Sequence, residues 1–147
     1  MHKQRLDYEK IAPEGYKAFG LVHRYVGNSG LDPLLIDLVY LRVSQINGCA
    51  YCVDLHSRDA LAKGVDQRKL NNLATYWEAP FFTKREQVAL AWADSLTRVA
   101  ETRAPDADYD AAHAEFGDKG MVDLTYAVAL MNAFNRLGVA FRLPLKL

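Results

Sequence analysis

Two cysteines, Cys49 and Cys52, are the whole thiol content of the chain, and His56 follows the second by four residues. Residues three and four apart on an α-helix share a face, so both sulfurs and the imidazole come within side-chain reach of one another. That set suits thiol redox chemistry: one sulfur attacks, the other resolves the product as a disulfide, and the imidazole exchanges a proton near neutral pH. A peroxide attacked by a thiolate needs a proton on its departing oxygen, and His56 is the candidate to deliver it. Two other readings of the trio stay open. One is a pair of small buried thiols beside a core histidine. The other is metal binding, although a closed zinc site wants four ligands and no second Cys-x-x-Cys or His-x₃-His occurs. No resident metal or cofactor is expected.

Asp37 is the fourth candidate. It falls in a segment that is otherwise almost wholly apolar, where an unpaired carboxylate is costly and its pKa is pushed upward unless a donor is close. Two readings follow from its position. It orients and tunes an imidazole, or it closes a buried ion pair with a cation such as Arg42 or Arg136.

These residues need elements to hold them, and apolar residues recur at helical spacing through most of the chain, with no strict alternation bounded by hairpin turns. The expected fold is all-α, a bundle of about seven helices. Pro13 opens a helix with Tyr16, Phe19, His23 and Val26 on one face, ended by Gly27–Gly30; His23 there reads as a core or interface histidine. A second helix runs from Asp32-Pro33 to about Ile46, apolar around nearly its whole circumference, and Asn47-Gly48 stops it. The next carries Cys52 and His56 and ends at Lys63-Gly64. If it starts near Cys49, its free N–H groups and positive dipole end favour thiolate over thiol. Asp66 caps a short helix that ends before Pro80, and Thr83-Lys84-Arg85-Glu86 has capping-box spacing and opens a helix with Val88, Trp92, Leu96 and Val99 in phase. Asp106 caps a sixth, with Tyr109, Ala112 and Phe116 inward and Gly117 as terminator, and a seventh spans about Lys119 to Leu137. Trp77, Trp92 and Phe81-Phe82 read as packing or interface residues. Asn132, Asn135 and Arg136 read as inter-helix hydrogen bonding, with contact to Asp37 or a neighbouring subunit as the alternative.

The 147 residues are 50% hydrophobic and 24% charged, the size and balance of one globular domain. Eighteen basic residues balance 18 acidic ones, so no global field attracts nucleic acid or an anionic membrane. The start, Met1-His2-Lys3-Gln4-Arg5, leads into polar sequence without an apolar signal-type core, and no apolar run reaches the roughly 18 residues of a membrane span. A cytoplasmic protein is expected, and in a reducing compartment a lone Cys-x-x-Cys signals redox chemistry or metal binding rather than architecture.

The run from Asp37 through Ser44-Gln45-Ile46-Asn47-Gly48-Cys49-Ala50-Tyr51-Cys52 to His56 resembles the core of the carboxymuconolactone decarboxylase superfamily, in its alkylhydroperoxidase D-like branch. Phe82–Glu86 and Asn132–Leu137 also read like family segments, and the resemblance covers about residues 12 to 142 of a single domain spanning 1–147. It implies an all-helical subunit that forms homotrimers or homohexamers and reduces hydroperoxides through the dithiol. Cys52 is then the peroxidatic nucleophile, Cys49 the resolving thiol and His56 part of a proton relay, with an external thiol, a lipoyl protein or a thioredoxin-like protein as electron donor. The family relay also uses a Glu twelve residues before the first cysteine, where this chain has the shorter Asp37, and some members carry a His between the cysteines, where this chain has Tyr51. The decarboxylase branch as a rule lacks the Cys-x-x-Cys, which argues against lactone decarboxylation. A thioredoxin motif would follow a strand, and none is expected before Cys49. A non-catalytic redox sensor and a metal-binding assembly protein are the alternatives from other classes.

Overall fold

The computed structural model describes residues 3–145, all helix and connecting turns with no strand among them. In chain order the elements are α1 (Tyr8–Ile11), α2 (Pro13–Gly27), α3 (Pro33–Asn47), α4 (Ala50–Ala62), α5 (Gln67–Asn71), a 3₁₀ turn (Leu73–Thr75), α6 (Lys84–Thr97), α7 (Val99–Thr102) and α8 (Asp106–Phe141). Eight α-helices thus replace the expected seven, because one-turn helices flank the start of α2 and the end of α6. The expected sixth and seventh helices run on from one another as α8, in two helical segments: Gly117 leaves helical geometry (φ 65°, ψ 179°), so the first segment ends there as its type predicts and the chain kinks into the second.

α3 is the axis of the fold and packs against α4, α6 and α8. Asp32 caps its first turn, accepting from the Leu34 N–H, and Pro33 supplies the helical φ of the first position. Its whole length from Leu35 to Ser44 is buried, as an apolar circumference requires. On one side Val39 and Val43 meet Val128 and Met131 of α8 and Trp92 of α6; on the other Leu38 and Leu41 meet Ala60, Leu73 and Leu90. Each fully buried leucine or valine contributes roughly 1.5–3 kcal/mol relative to exposure. The Thr83–Glu86 capping box forms as its spacing predicts. Tyr109, expected inward, is exposed: its ring stacks on His113 at the surface (5.6 Å between centroids), and Ala112 takes the buried position. Trp92 and Phe82 are buried, whereas Trp77 is 56% exposed, its ring standing edge-on to Tyr76.

Buried charge is paired. Arg42 grips Asp94 through two hydrogen bonds of 2.6 and 2.7 Å, joining α3 to α6. Among the described residues no helix is long and apolar enough to cross a membrane.

Candidate active site

The turn between α3 and α4 builds the site. Gly48 adopts φ +67°, the left-handed conformation that ends α3 and that glycine tolerates best. Cys49 is the N-cap of α4, and its Sγ accepts a hydrogen bond from the Cys52 N–H at 3.4 Å. A helix N-cap is normally Ser, Thr, Asp or Asn; here a sulfur occupies the place where N–H groups converge, which stabilises a thiolate. Cys49 and Cys52 are both buried and joined as a disulfide, with Cα atoms 5.3 Å apart.

Amide side chains anchor this turn to α8. Asn47 donates to Asn132 and to Asn135, each at 3.0 Å, and Asn135 donates to Ser44 at 3.0 Å. The asparagines therefore make inter-helix hydrogen bonds, while Arg136 folds back on Asn132 of its own helix. Below them α8 presents the buried Gly138, where a Cβ would lie 2.9 Å from Cys49 Sγ and 3.6 Å from Cys52 Sγ. The absence of a side chain is what lets α8 back the disulfide this closely.

A cavity of about 730 Å³ opens in front, between α2, α4 and the second half of α8. Cys52 and His56 face it, with Tyr51 and Leu55 from α4, Tyr16 and His23 from α2, and Met131 and Phe134 from α8; Cys49 lies behind and does not reach it. The pair is therefore asymmetric, with one sulfur facing the cavity and one packed in the interior.

His56 is 8% exposed, and burial pushes its pKa down from the usual 6.5 to about 4; Asp59 opposes the shift, whereas His23 and Lys63 add to it. It is a neutral imidazole at neutral pH, which differs from the freely titrating group expected from the sequence. Asp37 is 5% exposed and forms its hydrogen-bonded ion pair with Lys63 of the loop after α4, at 2.6 Å. It pairs with neither Arg42 nor Arg136, because Arg42 is held by Asp94 and Arg136 by Asn132. Burial raises the Asp37 carboxyl above the usual range, with Lys63 acting against the shift. Its bond to Lys63 stands where an imidazole contact was one of the two expectations, so Asp37 and His56 share the α3–α4 interface without a hydrogen bond between them.

Sequence reasoning missed Tyr40. Tyr40 lies one turn beyond Asp37, packed against two imidazoles: its ring is 5.2 Å from that of His56 and stacks at 6.1 Å on that of His23. Its hydroxyl is buried without a hydrogen-bond partner, and burial raises its pKa well above the ordinary value. His23, read as a core or interface histidine, is exposed and borders the cavity. The spacing from Asp37 to Tyr40 was a visible signal for Tyr40; nothing in α2 alone marked His23, since only packing against α3 carries it to the cavity. His113 lies elsewhere, 2.6 Å from Asp118, and His2 is outside the described residues. Among the described residues no group of three or more His, Cys, Asp or Glu could hold a metal ion.

Similarity to known proteins points to one family. The model of the carboxymuconolactone decarboxylase family matches residues 13–95. The uncharacterized protein YdfG of Bacillus subtilis (strain 168) is 32% identical over 137 residues, 93% of each chain. ATU0492 of Agrobacterium tumefaciens, a crystal structure of a protein of unknown function, matches at a TM-score of 0.95 and 38% identity over 99% of both chains. An alkyl hydroperoxide reductase AhpD of Koribacter versatilis (strain Ellin345) is 39% identical over 51 residues, 35% of this chain and 26% of that protein. The chain belongs to the carboxymuconolactone decarboxylase family and is alkylhydroperoxidase D-like within it.

Proposed function

We propose that the protein is a dithiol-dependent hydroperoxide reductase. The observation that carries this reading is the asymmetric Cys49–Cys52 pair at the start of α4, with only Cys52 facing a cavity that His56 also borders. In the reduced protein the Cys52 thiolate attacks the terminal oxygen of a hydroperoxide. An S–O bond forms, the O–O bond breaks, and the electron pair leaves on the alkoxide, which is protonated to the alcohol. Cys49 then attacks the sulfenic sulfur from behind, releasing water and closing the disulfide, and an external dithiol returns two electrons and two protons. The first-turn N–H groups of α4 converge on the resolving Cys49 Sγ, while the positive end of the helix dipole favours the thiolate of Cys52 within that same turn. His56, neutral by burial, serves as a relay that accepts a proton on one ring nitrogen and donates from the other. Asp37 acts on that relay at one remove, through the α3–α4 interface and its Lys63 partner.

The same reading includes a small thiol, lipoyl protein or thioredoxin-like protein as electron donor, a homotrimeric or homohexameric assembly, a cytoplasmic location, and no nucleic-acid or membrane partner. Cys49 and Cys52 are the catalytic thiols and His56 the relay. The test is consumption of cumene hydroperoxide under excess dithiothreitol. Turnover is expected in the native protein and its loss in Cys52→Ser, while Cys49→Ser retains one equivalent of oxidation and yields a dimedone-reactive sulfenic acid. Undiminished turnover in Cys52→Ser sinks the proposal.

A further inference from the structure

The reaction proposed above, on which this inference rests, needs a proton at the departing oxygen, inside the cavity and on every turnover. His56 is a poor standing source, since its ring is buried and stays neutral at neutral pH. Burial pushes up the phenols of Tyr8 and Tyr16, that of Tyr8 to about 12. Of the two imidazoles bordering the cavity, His23 is the one open to solvent.

His23 is also held in place. Its ring stacks on Tyr40 (29° between planes), and the same tyrosine ring lies 5.2 Å from that of His56, so one buried tyrosine packs against both imidazoles that border the cavity. Their proximity is felt electrostatically, because His23 is among the groups that oppose protonation of His56, along with Lys63; Asp59 works the other way. Asp37, one turn before Tyr40 on α3, is occupied by Lys63. The unpartnered Tyr40 hydroxyl leaves neither imidazole committed to it.

We infer that His23 is a further catalytic residue, the acid that protonates the alkoxide leaving group while Cys52 takes the terminal oxygen. The S–O bond forms as the O–O bond breaks, sulfur is oxidised and the peroxide reduced by one electron pair, and the ring N–H of His23 passes its proton to the alkoxide. Its solvent-exposed ring is then reprotonated from bulk water. His56, one turn beyond Cys52, manages the thiol proton instead.

Leaving-group dependence separates an acid from a structural histidine. Single-turnover oxidation of the reduced protein is measured with tert-butyl hydroperoxide, whose alkoxide must be protonated, and with perbenzoic acid, whose benzoate leaves without a proton. In His23→Gln the tert-butyl hydroperoxide rate is expected to fall about 100-fold, the contribution typical of a positioned acid, with the perbenzoic acid rate unchanged. Equal losses with both oxidants, or no loss with either, overturn the assignment. A native protein that oxidises with neither compound overturns the peroxidase reading as well, so the two failures are distinguishable.

Discussion

Burial of His56 has a thermodynamic signature that is independent of any catalytic assay. Its pKa lies at about 4 in the folded protein against 6.5 when exposed, with loss of hydration as the main cause. Between those values the unfolded chain binds a proton that the folded chain refuses, so stability falls as pH is lowered through this window and is fully recovered above about pH 6.5. The displacement corresponds to about 3 kcal/mol, a large share of the roughly 5–15 kcal/mol typical of a domain. Carboxylates titrate in the lower part of the same range, so the quantity to measure is the difference between the native protein and His56→Gln. Urea unfolding of the oxidised protein, at one fixed concentration because an assembly would couple to folding, gives both stabilities at steps from pH 7.5 to 4. Whatever constant cost Gln imposes cancels in the slope. The native protein should lose about 3 kcal/mol more than the variant across the window, a shift in relative midpoint of about 1–2 M urea. A difference that stays flat with pH, or a His56 ring resonance that titrates near 6.5, would refute the argument that burial keeps this imidazole neutral.

Three further outcomes follow from the packing. Gly138→Ala forces a methyl to within 2.9 Å of a sulfur that the disulfide prevents from moving aside; overpacking of about 1–3 kcal/mol exceeds the roughly 1 kcal/mol gain in helix propensity, so the melting temperature should drop, and a rise would count against the close approach of α8. Asp94→Ala leaves the Arg42 guanidinium buried and unpaired, and should cost about 3–5 kcal/mol by denaturant titration. Lys63→Met removes the partner of Asp37, and because Lys63 itself is half-exposed the loss at pH 7 should be only about 1–2 kcal/mol. The Asp37 carboxyl is already raised by burial, so that loss should shrink as acid protonates it, and a loss that grows on acidification contradicts the pairing.

Much of the frame was legible along the chain because local chemistry is enough to specify it. Asp32-Pro33, Gly48, Asp66 and Thr83–Glu86 act within a turn or two of their own positions, and they start or stop helices where their types require. The apolar circumference of α3 foretold burial on every side. That Cys52 and His56 share a face depended only on helical spacing, whereas Cys49, the N-cap, lies behind the cavity they border. Gly117 breaks helical geometry where its type predicts, while the direction taken by the second segment of α8 depends on packing, with Met121, Leu124 and Val128 returning to the core beside α3.

What spacing could not supply is everything that depends on distance between elements. Periodicity marked Asp37 as buried but was silent on its cation, since Lys63 reaches it only when α4 lies along α3. It gave no sign that Cys52 faces a cavity while Cys49 is backed by Gly138, or that α2 carries His23 to the same cavity as His56, with both rings packed on Tyr40. Residue types and their helical phase determined which groups could react. Tertiary packing decided which sulfur faces the cavity and that the His56 imidazole is neutral, because accessibility and desolvation arise only once helices distant in sequence close over one another.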